Sequence, residues 1–271
     1  MLLSVIRGTA VAMLLFVGAA QAQESELSQA LRLSVEELRN AGPAGPSLEG
    51  VSLTEGVARF YERRDYAAAW TETAPREALV AQLKNMASDG LDPADYAVAR
   101  IAKGPDSQAA TVLATYDVMA TRNFLLALAH LFRGKVDPSS LDAQWNFDAR
   151  SMTPDEALGY ILDAVKAGDL ARVFDGARPK HFAYERMRER LKRLREIQAA
   201  GGWKPIADGP QLAPGADDAR VAVLRKRLAD AGYLAADADN GSHSFDETVT
   251  AAVKLFQTKQ YLEPDGAVGP A

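Results

Sequence analysis

The stretch "VAVLRKRLADAGYL", residues 221–234, decides the fold. Val221, Leu224, Leu228 and Ala231 recur at three- and four-residue steps, which places them on one face of an α-helix with charged residues opposite. Gly232 then stops the helix, because glycine enters the left-handed region without a Cβ penalty, and Leu234 can fold back on the turn just completed. A second helix follows in "SFDETVTAAVKLFQTKQYL", residues 244–262. Here Ser244 and Glu247 have the spacing of a capping box, and Phe245, Val249, Val253 and Phe256 form the expected buried stripe. The chain closes on "DGAVGPA", residues 265–271, where Gly269-Pro270 looks like the entrance to a further helix.

The same grammar extends upstream. Ser52 and Glu55 predict a helix from about Leu53, and Thr153, Pro154 and Glu156 predict another from Pro154. Between them Leu113, Tyr116, Ala120, Phe124, Leu128 and Leu131 predict a long central helix that stops at Gly134. In "HFAYERMRERLKRLREIQAAGG" the apolar face is expected to be Phe182, Met187, Leu191, Leu194 and Gln198, with a solvated basic face opposite and Gly201-Gly202 as the stop. No stretch has the alternating, β-branched pattern of a half-buried strand. The predicted fold class is therefore all-α: a helical domain, then a small helical module, joined by the proline- and glycine-rich residues 203–216.

The first 22 residues differ in kind. Arg7, the apolar run Ala10–Ala20 and the small residues around Ala20-Gln21-Ala22 fit a secretory signal peptide cleaved after Ala22, and the run is shorter than the roughly 20 residues of a bilayer span. Export to the periplasm is the expected localisation, with no membrane partner beyond this segment. Its removal leaves 30 Lys and Arg against 36 Asp and Glu, a balance that argues against nucleic acid as a partner. The chain has no cysteine, so the exported fold relies on its apolar core, and thiol nucleophiles and thiolate metal sites are excluded.

Two sets of residues carry a family resemblance. The order L-R-x-R-L-x-x-x-G-Y-L, then F-D-x-x-T-x-x-A-V-x-x-F-Q, then L-x-x-D-G-x-V-G-P, over residues 217–271, resembles the peptidoglycan-binding-like domain, a three-helix module that engages bacterial cell-wall murein. Upstream, "FYERRDYAAAW", "MASDGLDPADY" and "RGKVDPSSLDAQW" look like the scaffold domain of the large periplasmic murein L,D-transpeptidases. The resemblance implies a scaffold over 24–202, a linker over 203–216, and a module over 217–271 that stops before its third helix. It also implies a catalytic domain with a Ser-His-Gly-Cys nucleophile motif further on, which this chain does not contain.

The implied role is that of a non-catalytic N-terminal part of such an enzyme, which binds and positions peptidoglycan for 3-3 cross-linking. The alternative is a stand-alone peptidoglycan-binding or adaptor protein of the periplasm. No catalytic residue is expected, since the family's acyl-enzyme forms on a thiolate. His130, His181 and His243 lack zinc-site spacing, "DADNG" at 237–241 lacks the phasing of a calcium loop, and no phosphate loop or serine elbow occurs, so no metal or cofactor is expected. A muramidase would need only two suitably separated carboxylates, which a helical chain with 36 acids does not exclude.

For contact with murein the candidates are Tyr233, Gln257, Tyr261 and Asp265, because aromatic rings, amides and carboxylates suit sugars and stem peptides. Two helices alone would leave much of their apolar stripe in water, so without a third surface the module is expected to be loosely folded.

Overall fold

The computed structural model describes residues 25–136 and 150–269, and the predicted signal segment lies outside them. The described chain divides into two compact units, one ending at Arg188 and the other beginning at Glu189. It is predominantly α-helical, as expected from the periodicity.

The first unit starts with helix α1 (25–40), which buries Leu31 and Val35. A two-residue hairpin follows, β1 (Ser47–Leu48) paired antiparallel with β2 (Val51–Ser52), too short to carry the alternation sought in the sequence. Its turn places Glu49 and Gly50 at φ 46° and 81°, the positive pair that matches the twist of a tight hairpin. Helix α2 (Leu53–Glu62) begins where the cap predicts: Ser52 Oγ accepts from Glu55 N at 3.2 Å. The Glu55 carboxylate does not close the box but accepts from Arg39 and Arg59.

Helix α3 (Thr73–Asn85) leads through two 3-10 turns, Met86–Asp89 and Pro93–Tyr96, to α4 (Val98–Lys103). The long helix α5 (Ala110–Arg133) stops at Gly134 and buries all six stripe residues named above. It packs against α2, α3 and, further along the chain, α7 (Leu170–Ala177). The Phe124 ring lies edge-on to Trp70 and tilted against Phe174, at centroid distances of 5.2 and 5.9 Å. Helix α6 (Pro154–Ala167) is capped by Thr153 as predicted, and the Thr153 hydroxyl donates to Glu156 at 2.6 Å.

The stripe of α5 contains one polar intruder, Asp117, which is fully buried. Its carboxylate accepts from Tyr61 Oη at 2.7 Å, from Ala69 N at 3.0 Å and from Trp70 N at 2.6 Å. Trp70 Nε1 donates to Thr121 Oγ1 at 2.9 Å, and Thr121 Oγ1 lies 2.7 Å from Tyr61 Oη. Because Tyr61 spends its one proton on Asp117, the Thr121 hydroxyl must donate to Tyr61, which completes a relay from Trp70 to the carboxylate. Burial pushes the Asp117 carboxyl above its usual range, and the bonds from Tyr61, Ala69 and Trp70 draw it back. The relay fixes the turn after α2 onto α5.

Helix α8 (Phe182–Ala199) departs from expectation. No residue in it is buried, and Phe182 and Met187, predicted on its apolar face, are 62% and 64% exposed. The half-buried stripe is shifted in phase to Tyr184, Arg188, Leu191, Leu194 and Ile197. The reason is polar anchoring. Asp89, with a fully buried side chain, accepts from Tyr184 Oη at 2.9 Å and from the Arg178 guanidinium at 2.9–3.0 Å, while Arg188 reaches Ser88 Oγ at 2.8 Å. A buried ion pair with all its lone pairs used outweighs an exposed phenylalanine in setting the helix's rotation.

In the second unit, α9 (Arg220–Ala231) ends at Gly232, φ 83°, and Tyr233 N and Leu234 N both bond Leu228 O. Helix α10 (Glu247–Lys259) starts later than predicted. Its cap is Asp246, whose carboxylate accepts from Val249 N at 2.9 Å, not Ser244. Phe245 belongs to an extended segment, with its N–H on Ala216 O, so the helix cannot begin before Asp246. Leu212, in the segment read as a linker, is 2% exposed in the same core as Val221, Leu224, Leu228, Val249 and Val253. It exchanges two backbone bonds of 2.8 Å with Val268. Together with Ile206 and Ala216, this segment supplies the third apolar surface that two helices alone would lack, contrary to the expected loose folding.

Removing the Tyr61 hydroxyl (Tyr61→Phe) breaks two relay bonds and is expected to cost about 1–2 kcal/mol. Asp117→Ala strands two backbone N–H groups and should cost about 3–5 kcal/mol. Urea unfolding of the two variants checks both values and their order.

Candidate functional site

The two module helices run in the same general direction. Their starts lie together, through the Asp217–Ser244 bridge and the bond from Asp218 N to His243 O. Their ends also meet, where the Tyr233 ring stands edge-on to Phe256 at 5.2 Å and Gln260 Nε2 donates to Tyr233 Oη at 3.2 Å. The 3-10 turn Ala236–Ala238 and the loop to Asp246 carry the chain back between them. Arg225, 1% exposed, holds that return: its guanidinium donates to Ala238 O and Ser244 O at 3.0 Å each and also to Asp246.

The four residues singled out from the sequence all lie at the shared C-terminal end, in two groups. Gln257 is 8% exposed and extends the buried stripe of α10. Its Nε2 donates to Asp265 Oδ1 at 2.7 Å and to Ala267 O at 3.0 Å, and its Oε1 accepts from Gly266 N at 2.9 Å. Asp265 also accepts from Ala267 N at 2.9 Å. Gln257 and Asp265 therefore build the loop 263–268. Glycine is required at 266, where φ is 79° and a Cβ would come within 2.8 Å of Lys254 Cε.

The aromatic pair faces outward. Tyr261 is 98% exposed, and its backbone is left-handed at φ 59°. A non-glycine residue pays about 1 kcal/mol for that conformation, and here no packing offsets it. Tyr233 is half-buried. The same segment leaves exposed three further large apolar residues that the sequence did not single out as contacts, Leu255, Phe256 and Leu262, with exposures of 45%, 37% and 55%, and of these Phe256 meets the Tyr233 ring. Phe256 was expected in the core. It keeps the angular sector of Val249 and Val253 but lies at the helix end, where its ring neighbour is Tyr233. The signal that could have found this ledge is the density of large apolar residues from 255 to 262, which exceeds what one stripe can bury.

The histidines do not converge. His130 Nδ1 lies 3.0 Å from Tyr96 Oη, and burial lowers its pKa, while His181 Nδ1 accepts from Ala183 N at the start of α8. Among the described residues no group of three or more His, Asp or Glu could hold a metal ion.

The fold defines the chain as a predominantly all-α protein, with an outward aromatic ledge on its small helical module. A scaffold-domain model matches residues 55–191, and a model described as a putative peptidoglycan binding domain matches residues 217–271. The chain belongs to the scaffold-domain family, the L,D-transpeptidase scaffold. No curated protein matches it. The two domains give it a peptidoglycan-related role and point to an extracytoplasmic location. Among the described residues no helix is long and apolar enough to cross a membrane.

The Asp265 carboxyl is held below its usual value, first by Ala267 N and then by Gln257. A depressed acid stabilises the folded loop above its unfolded value of 3.8 and loses that contribution as pH falls below it. Protection of the Gly266 and Ala267 amides, relative to their intrinsic exchange at the same pH, is therefore expected to fall below about pH 3.8 in the native chain, and to be lower at all pH values in Gln257→Leu, with α9 unaffected.

Proposed function

We propose that this chain is exported to the periplasm by residues 1–22 and holds peptidoglycan in place for 3-3 cross-linking by a cysteine-dependent L,D-transpeptidase domain. Residues 24–202 act as the scaffold and 217–271 as the murein-binding module. Tyr261 and Tyr233 make the contact, and Gln257 and Asp265 set the loop that presents it. The chemistry has to come from elsewhere than these 271 residues, because the family's acyl-enzyme needs a thiolate and no cysteine is present.

The observation that carries this proposal is Tyr261. The left-handed backbone at 261 closes the end of α10, with Leu262 N on Gln257 O at 2.8 Å, a task glycine would perform at less cost; the tyrosine side chain, almost wholly in water, adds nothing to that closure and is best accounted for by a ligand. An exposed ring suits the apolar face of a sugar, and the half-buried Tyr233 hydroxyl, already oriented by Gln260, can exchange hydrogen bonds with a hydroxyl or amide.

Tyr261→Gly should leave the module as stable as before or more stable by about 1 kcal/mol, since it relieves the left-handed residue. Retention of the same variant on purified murein sacculi should fall about fivefold, the loss of one aromatic contact, and further with Tyr233→Ala. Unchanged retention in the double variant would remove this surface from the proposal.

A further inference from the structure

The first unit contains a cavity of about 880 Å³ between the β1–β2 hairpin, α2, the C-terminal half of α5, α6 and α7. That volume falls within the range of small-molecule sites. Its walls are apolar, formed by Leu48, Val51, Leu125, Phe132, Ile161 and Val173 among others. Met152 and Tyr160, which also line it, are 40% and 38% exposed. A glycan strand would leave its hydroxyls unpaired against such walls, so murein is a poor occupant.

The charges are one-sided. Among the described residues lining the cavity there is no Asp or Glu, although the chain carries 36 of them, whereas Arg59, Arg133 and Lys135 all contribute. Arg59 is paired with Glu55, and Lys135 with Asp95. Among the described residues Arg133 has only the Ser47 carbonyl, at 3.4 Å. One wall also contains a glycine that the backbone does not require. Gly56 lies inside α2 without a positive φ, and a Cβ there would meet nothing closer than Leu125 Cδ1 at 3.8 Å. Glycine weakens a helix interior, and what it provides here is open space.

We propose that this cavity binds one molecule of a long-chain fatty acid, its alkyl chain along the apolar walls and its carboxylate at Arg133. The inference goes beyond the murein-binding proposal and involves a different unit of the chain.

The test is displacement of a fluorescent fatty acid from the full purified chain by palmitate, below the concentration at which palmitate forms micelles. Saturable one-to-one binding is expected. Gly56→Leu fills the cavity and should weaken binding about tenfold or more while the melting temperature holds or rises. Arg133→Ser should weaken palmitate and leave its neutral methyl ester unaffected. The proposal is overturned by absence of saturable binding, by full affinity in Gly56→Leu, by equal losses for acid and ester in Arg133→Ser, or by association only with anionic lipid vesicles.

Discussion

A buried carboxylate on the central helix constrains everything around it. Asp117 lies in the apolar stripe of α5, where an ionised group without partners would be prohibitively costly, and it is tolerated because neutral donors converge on it. Two of those donors are successive backbone N–H groups, at Ala69 and Trp70, so the turn after α2 has one geometry that satisfies them. That geometry seats the Trp70 ring against Phe124, and Phe124 in turn meets Phe174 of α7. Burial of the aromatic core and satisfaction of the carboxylate are one event, which makes the arrangement specific as well as stable.

The small module repeats the device with other side chains. Arg225 binds two carbonyls and Asp246 from within the core, and Gln257 uses both ends of its carboxamide on the loop 263–268. Each turns an irregular connection into a fixed one. With the interior of the C-terminal end occupied by Gln257, the large residues around it, Phe256, Tyr261 and Leu262, remain at the surface. The exposed ledge is thus a consequence of how the loop is held, and position and exposure at that end cannot be altered independently.

What was legible in the sequence was what local chemistry decides. Ser52, Thr153, Gly134 and Gly232 mark helix ends through bonds that span a few residues, and the periodicity of α5 is long enough to be unambiguous. The failures share a cause: partners distant in the chain. Asp117 was not singled out in the sequence, because its role arises only when Ala69 and Trp70, nearly fifty residues earlier, are brought to it. Ser244 has the right spacing for a cap, yet the bond between Phe245 and Ala216 draws that residue out of the helix and leaves the role to Asp246. The rotation of α8 follows Asp89, which lies about a hundred residues upstream. Proline-rich composition suggested that 203–216 only connects, and nothing local indicated that Leu212 would enter the core. The candidate contacts divided similarly: Tyr261 stayed at the surface, and Gln257, equally polar, was absorbed into the fold.

The central claim is that the module meets murein with the end where α9 and α10 finish. Chemical-shift mapping of the ¹⁵N-labelled chain during titration with soluble muropeptides tests it most directly. The account predicts perturbations at the amides of Tyr233, Phe256, Gln260, Tyr261 and Leu262, with smaller ones at Gly266 and Ala267, while the opposite end from Asp217 to Val221 and from His243 to Asp246 stays unchanged. Perturbations concentrated at that opposite end, or confined to residues before Arg188, would contradict it.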